Sequence, residues 1–175
     1  MSNFSITFGL TETRNTWNDW KLKPESPPMV PAPKPKTNYI DVPGRSKGPV
    51  DMTKVPFGRQ TYERISGTWT FVIQDNYWVD ADPRATCEAV RGWLHGRVTR
   101  MVLEEDPTHI YYGRFTVETP NRGIGPFAIQ INYDLEPCRY LANGDIDTSW
   151  VSDASEWIDS RINPIPDADI HALFQ

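Results

Sequence analysis

The chain has 175 residues, a formal net charge of −5 and a hydrophobic share of 38%, enough for one ordinary domain with appendages. It contains no apolar run long enough to span a membrane and no basic stripe, so neither membrane insertion nor specific affinity for nucleic-acid phosphates is expected. Its 16 prolines point to segments outside the compact body.

The N-terminus lacks a basic region followed by an apolar core, so synthesis in a reducing cytoplasm is expected. Under those conditions Cys87 and Cys138 are read as free, buried thiols. Ile6, Phe8 and Leu10 alternate with polar neighbours and predict a strand. Residues 16–22 repeat the pattern less cleanly, as a strand or a turn of helix. Six prolines follow between Pro24 and Pro35, a composition that favours an extended polyproline arm and argues against a ladder. The apolar Met29 and Val30 inside that arm suit an element that docks rather than a floppy linker.

Tyr39 to Val42 reads as a short strand stopped at Pro43-Gly44, and Gly48-Pro49 marks a second break before a return at Val50-Asp51. Trp69, Phe71 and Ile73 share one face of a strong strand. Asp82-Pro83 is an N-cap with proline at the first helical position, and the helix is expected from Pro83 to His95, stopped by Gly96. Cys87, Val90 and Leu94 form its apolar stripe, with Ala89 and Trp93 beside it. His95 is expected to interact with the carboxyl end of that helix.

Arg97 to Leu103 predicts a strand, with Val98 and Val102 its clearest apolar positions. Residues 104–107 read as a turn, and Ile110 to Glu118 as the next strand. Residues 119–126 read as a hairpin loop, of which residues 120–126 lie outside the residues described below. Phe127, Ile129, Ile131 and Tyr133 alternate cleanly, the mark of a half-buried strand that continues or breaks at Pro137. The sum is an α+β, mainly β fold: an antiparallel sandwich or barrel-like domain with one packed helix, an extended arm and an acidic C-terminal tail. That tail, residues 141–175, carries seven acids against Arg161 alone, a net −6 that leaves +1 for the remainder.

Candidate chemistry is sparse. His95, His109 and His171 show no zinc spacing, and Asn143-Gly144-Asp145 lacks the ladder and the glutamate of a calcium loop. Gly123-Ile124-Gly125 opens no helix, and no nucleophile-elbow motif occurs. No catalytic, cofactor-binding or metal-ligating residue is assigned. Trp17, Trp20, Tyr77 and Trp78 are candidates for a sugar-binding aromatic platform, against burial in a core or interface. In the tail, Trp150, Ala154, Trp157, Ile158 and Ile162 fall on one helical face, which makes Trp150, Trp157 and Ile158 candidate partner-binding residues, against docking on their own domain.

The order of the pieces carries a further reading. Asp41-Val42-Pro43-Gly44 precedes Gly48-Pro49-Val50-Asp51 and then Tyr62-Glu63-Arg64. Trp93-Leu94-His95-Gly96, Asp106-Pro107 and Tyr111-Tyr112-Gly113-Arg114 follow. This succession resembles the N-terminal domain of siphophage distal tail proteins, over roughly residues 5–140. The resemblance implies a non-enzymatic structural virion protein at the tip of a long, non-contractile phage tail. It implies a ring domain over residues 1–140, hexameric, whose arm (about residues 21–36) wraps a neighbouring subunit. Residues 21–36, fully extended, reach roughly 50 Å, against about 35–40 Å for the body.

On that reading Pro28, Met29, Val30, Tyr39, Asp41, Pro43 and Gly44 are candidate subunit-interface residues. The partners implied are further copies of the chain, the tail tube protein, the tail-tip or hub protein and a receptor-binding protein, with DNA passing through the lumen and no membrane. No cofactor is implied. The protein would be made in the host cytoplasm and reside in the virion, with residues 141–175 an acidic extension. A tube-like ring protein and a small carbohydrate-binding module are the alternatives.

Overall fold

The computed structural model describes residues 4–43, 48–54, 60–73, 82–119 and 127–147. They form ten strands and one helix: β1 (Ile6–Phe8), β2 (Arg14–Asn15), β3 (Leu22–Pro24), β4 (Tyr39–Ile40), β5 (Val50–Asp51), β6 (Ile65–Ile73), α1 (Pro83–Leu94), β7 (Val98–Leu103), β8 (Asp106–Glu118), β9 (Ala128–Leu135) and β10 (Tyr140–Leu141). The main sheet runs β2-β1-β7-β8-β9-β6-β3, with β10 paired to β8, and every pairing is antiparallel. The expected fold class is the one observed.

Period-two alternation builds the three central strands. Register places Trp69 opposite Ile131 and Phe71 opposite Ile129 across β6 and β9. Phe115 sits opposite Tyr133 and Val117 opposite Ile131 across β8 and β9. All of these side chains are buried. Gly67 lies opposite Tyr133, whose ring covers the space a Cβ would take and stacks on Trp69 with centroids 4.0 Å apart.

The sheet curls until its outermost strands, β2 and β3, are joined by one turn. Asn15 builds that turn: its Oδ1 accepts the amides of Trp17 and Asn18, both at 2.9 Å. Leu22 N then donates to Thr16 O at 2.8 Å, and Lys21 takes a left-handed φ of 54°. Residues 16–22, open between strand and helix in the sequence, are thus a turn leading into β3.

The helix begins and ends as expected. Asp82 Oδ1 accepts the amide of Arg84 at 2.9 Å, Pro83 is the first helical residue, and Gly96 has φ 77°. Cys87, Val90 and Leu94 are buried in the cluster that holds Phe8, Phe71, Met101 and Phe115. Ala89 is exposed, and Trp93 packs at the margin, edge-on to Trp20 at 5.7 Å. His95 departs from its expected role: its Nδ1 accepts the amide of Val117 at 3.1 Å, so the ring ties the helix end to β8.

Other expectations are corrected. In β7 the buried residues are Thr99, Met101 and Leu103, while Val98 is 40% exposed. Both faces of β7 carry apolar residues, and its pairing with β1 and β8 decides which face meets the core. The turn before β8 is confined to residues 104–105, and β8 starts at Asp106. Phe127 precedes β9 and is exposed, beyond the last core layer. β9 ends at Leu135, and after Pro137 the chain returns as β10 on β8 rather than continuing β9. Pro24 closes β3, an edge strand, where its missing N–H leaves no ladder bond broken.

Candidate subunit and partner interface

The proline-rich stretch does not hang free of the domain. It runs antiparallel to its own chain, from Leu22 opposite Ile73 and Pro24 opposite Phe71 to a bridge between Pro35 and Tyr62. Glu25 N donates to Thr70 O at 2.9 Å, and Trp69 Nε1 to Met29 O at 3.3 Å. Around Pro35, Lys36 N donates to Thr61 O and Glu63 N to Lys34 O, both at 2.8 Å. The prolines thus fall where their missing amides cost no bond, and the residues between them supply the donors. The expectation that this segment builds no ladder fails at both of its ends.

What leaves the body is the hairpin beyond. β4 and β5 form a separate two-stranded sheet, with Tyr39 opposite Asp51 and Ile40 opposite Val50. Its base is closed by Met52 N to Asn38 O at 2.7 Å and Asn38 N to Thr53 Oγ1 at 3.0 Å. Thr53, through its hydroxyl and then its amide, holds the Asp51 carboxyl below its ordinary range. Such a ribbon has no second layer to bury its side chains.

Among the described residues six large hydrophobics are exposed, and four lie here: Met29 at 74%, Tyr39 at 59%, Ile40 at 46% and Val42 at 47%. Isolated exposed apolar residues are ordinary, whereas here three stand within four positions of one two-stranded ribbon. Of the seven interface candidates, Met29, Tyr39, Asp41 and Pro43 are exposed. Pro28 is buried, and Val30 packs against the domain's own core. Gly44 lies outside the described residues. Ile40 and Val42 complete the surface and were not singled out from the sequence. Their signal was the alternation itself, which puts Ile40 and Val42 together on one face of the strand and Tyr39 and Asp41 on the other.

The sugar-platform candidates do not come together. Trp20 is buried in the core and Trp17 is half-buried, while Tyr77 and Trp78 lie outside the described residues. The partner-binding candidates Trp150, Trp157 and Ile158 also lie outside them. Among the described residues no group of three or more His, Cys, Asp or Glu could hold a metal ion, and no helix is long and apolar enough to cross a membrane.

Comparison with known proteins gives no matching family model and no matching curated protein. Among solved structures, the fold matches SPP1 Dit (gp 19.1), described as a paradigm of the hub adsorption apparatus in phages that infect Gram-positive bacteria. The match has a TM-score of 0.50 at 15% sequence identity and covers 80% of this chain. This chain spans about half of that protein's length, 53%. The curled antiparallel sheet with one packed helix is therefore a fold that this chain shares with SPP1 Dit.

Proposed function

We propose that this chain is a structural protein of a long, non-contractile phage tail, forming a homo-oligomeric ring at the distal end of the tube. The ring is hexameric if it follows the resembled family, and it serves as a docking hub for the tube, the tail-tip protein and a receptor-binding protein. The observation that carries the reading is the projecting ribbon with Tyr39, Ile40 and Val42 exposed. A two-stranded ribbon is marginal in water alone, and an exposed apolar edge invites pairing with another chain. The root of the arm is fastened to its own sheet, so the ribbon is held at a defined place for a neighbouring copy. The fold shared with SPP1 Dit supports the tail assignment.

Native mass spectrometry with electron microscopy of the purified chain, alone and with the tail tube protein, tests this reading. The expected result is a ring with a central opening. The variant Tyr39→Ser/Ile40→Ser should remain a folded monomer, with a melting temperature close to the parent, and lose the ring. A parent chain that stays monomeric in both mixtures, or a variant that still forms intact rings, overturns the assignment of the ribbon.

A further inference from the structure

The sheet buries one face of β7 and β8 against the core and turns the other outward. Alternation puts Val98, Arg100 and Val102 on the outward face of β7, and Ile110, Tyr112 and Arg114 on that of β8. Register sets Arg100 opposite Tyr112 and Val98 opposite Arg114. Tyr140 of β10 pairs with Ile110, and its ring stands edge-on to Tyr112 with centroids 5.1 Å apart. Val98 is exposed and Val102, Ile110 and Tyr112 are half-buried, so no second layer of described residues closes over this strip. Arg100 turns its guanidinium back on Gly9 O at 2.7 Å and Leu10 O at 3.3 Å, which leaves the strip apolar.

Charge surrounds the strip with one sign. β10 is held on β8 by its pairing and by a charge cluster, in which Asp147 accepts from Arg139 Nε at 2.6 Å and His109 stands between Asp106 and Asp147. The turn 104–106 and residues 136–147 together hold six acids against Arg139, and Glu104, Glu105 and Asp145 are exposed. The ribbon has the opposite sign. Residues 34–59 carry six lysines and arginines against Asp41 and Asp51, and Lys34 and Lys36 at the ribbon's root are exposed. Ile40 and Val42 share one face of the ribbon with Val50, which stands opposite Ile40. Residues 148–175 carry five acids against Arg161, so like charge disfavours that segment as a cover for the strip.

The two surfaces lie past one end of the sheet, on opposite flanks. Ile65, Leu135 and Gly113 are level across β6, β9 and β8. The first half of β8, with β10, runs past that level on one flank; the Pro35–Tyr62 bridge and the ribbon run past it on the other. Complementary surfaces at two places on one molecule make a head-to-tail contact, which closes into a ring when the rotation divides a full turn. Building on the proposed ring, we infer that the strip of Val98, Val102, Ile110 and Tyr112 is the seat for the ribbon of a second copy. Ile40 and Val42 lie against the strip, and Lys34 and Lys36 face Glu104 and Glu105.

Zero-length carbodiimide crosslinking of mixed isotope-labelled and unlabelled full chain, read by mass spectrometry, tests the seat. The expected product joins Lys34 or Lys36 of one copy to Glu104 or Glu105 of another, in mixed-isotope pairs. Lys34→Glu/Lys36→Glu should raise the concentration for half-assembly by about tenfold, as should Glu105→Lys/Asp145→Lys, and the two sets combined should restore it to within about threefold of the parent. Val98→Ser/Val102→Ser should weaken assembly as the charge variants do. If a variant does not fold, the crosslinks of the parent still decide. A parent that assembles with its crosslinks elsewhere, charge variants that assemble as the parent does, or a combined set no better than either alone overturns the seat and leaves the ring standing. A parent that stays monomeric, alone and with the tail tube protein, removes the ring and the seat with it.

Discussion

Burial sets the chemistry of single residues in this protein. Cys138 lies in an apolar setting that pushes its thiol up to about 11 from an ordinary 9.0, and Cys87 is raised in the same direction by the same cause. Both thiols are expected to resist alkylation in the native protein at pH 8 and to react at once on denaturation, read by mass spectrometry. The Cys138 shift favours the protonated form in the folded state, so its contribution is intact below about pH 9 and is lost as pH rises towards about 11. Urea unfolding at pH 8 and 10.5 should show that loss, and Cys138→Ser should blunt it. At Gly113, where β8 and β9 approach closely, an added Cβ would stand 2.7 Å from Leu135 Cα. Gly113→Ala is therefore expected to cost about 1–3 kcal/mol in equilibrium unfolding, with backbone rather than a movable side chain in the way.

Elements here are held by their ends as much as by their faces. The helix closes the concave side of the curled sheet with Cys87, Val90 and Leu94, and it is tied at its exit by Gly96 N to Phe115 O at 2.7 Å and by His95. Leu94 is fully buried, so Leu94→Ala should lower stability by on the order of 2–4 kcal/mol. Asp82→Ala, which removes only the cap, should cost about 1 kcal/mol. Calorimetry of the two variants separates packing from capping: equal losses would show that the helix face is not a core face.

At the scale of the whole molecule, the described residues stay fastened to the domain as far as Asp147, beyond the expected boundary at residue 140. Truncation is therefore better placed after Asp147, leaving β10 and the charge cluster in place. On the proposed function, the shortened chain should keep its melting temperature, still assemble as the parent does, and lose one tail partner if Trp150, Trp157 and Ile158 present a docking face. Pull-down of each adjacent tail protein with the truncated ring checks this, and unchanged binding of every partner would remove that role from the tail.

Local chemistry by itself determined the helix, its cap and its stop, because Asp82-Pro83 and Gly96 act within a turn or two of their own position. It determined the inward faces of two strands, Trp69, Phe71 and Ile73 in β6 and Ile129, Ile131 and Tyr133 in β9, since a period of two is written into consecutive residues, though not where those strands begin and end. The ordered motifs carried a resemblance to distal tail proteins, and the structure shares its fold with SPP1 Dit. Tertiary structure alone decided what depends on residues far apart in the chain. Pairing with two neighbours chose Met101 and Leu103 over Val98 for the core, because both faces of β7 are apolar. A proline-rich stretch became a strand partner because β6 offered an edge at which missing amides cost nothing. The same long-range packing left Ile40 and Val42 bare on the ribbon and brought Asp106 and His109 to Arg139 and Asp147, contacts that no local spacing encodes.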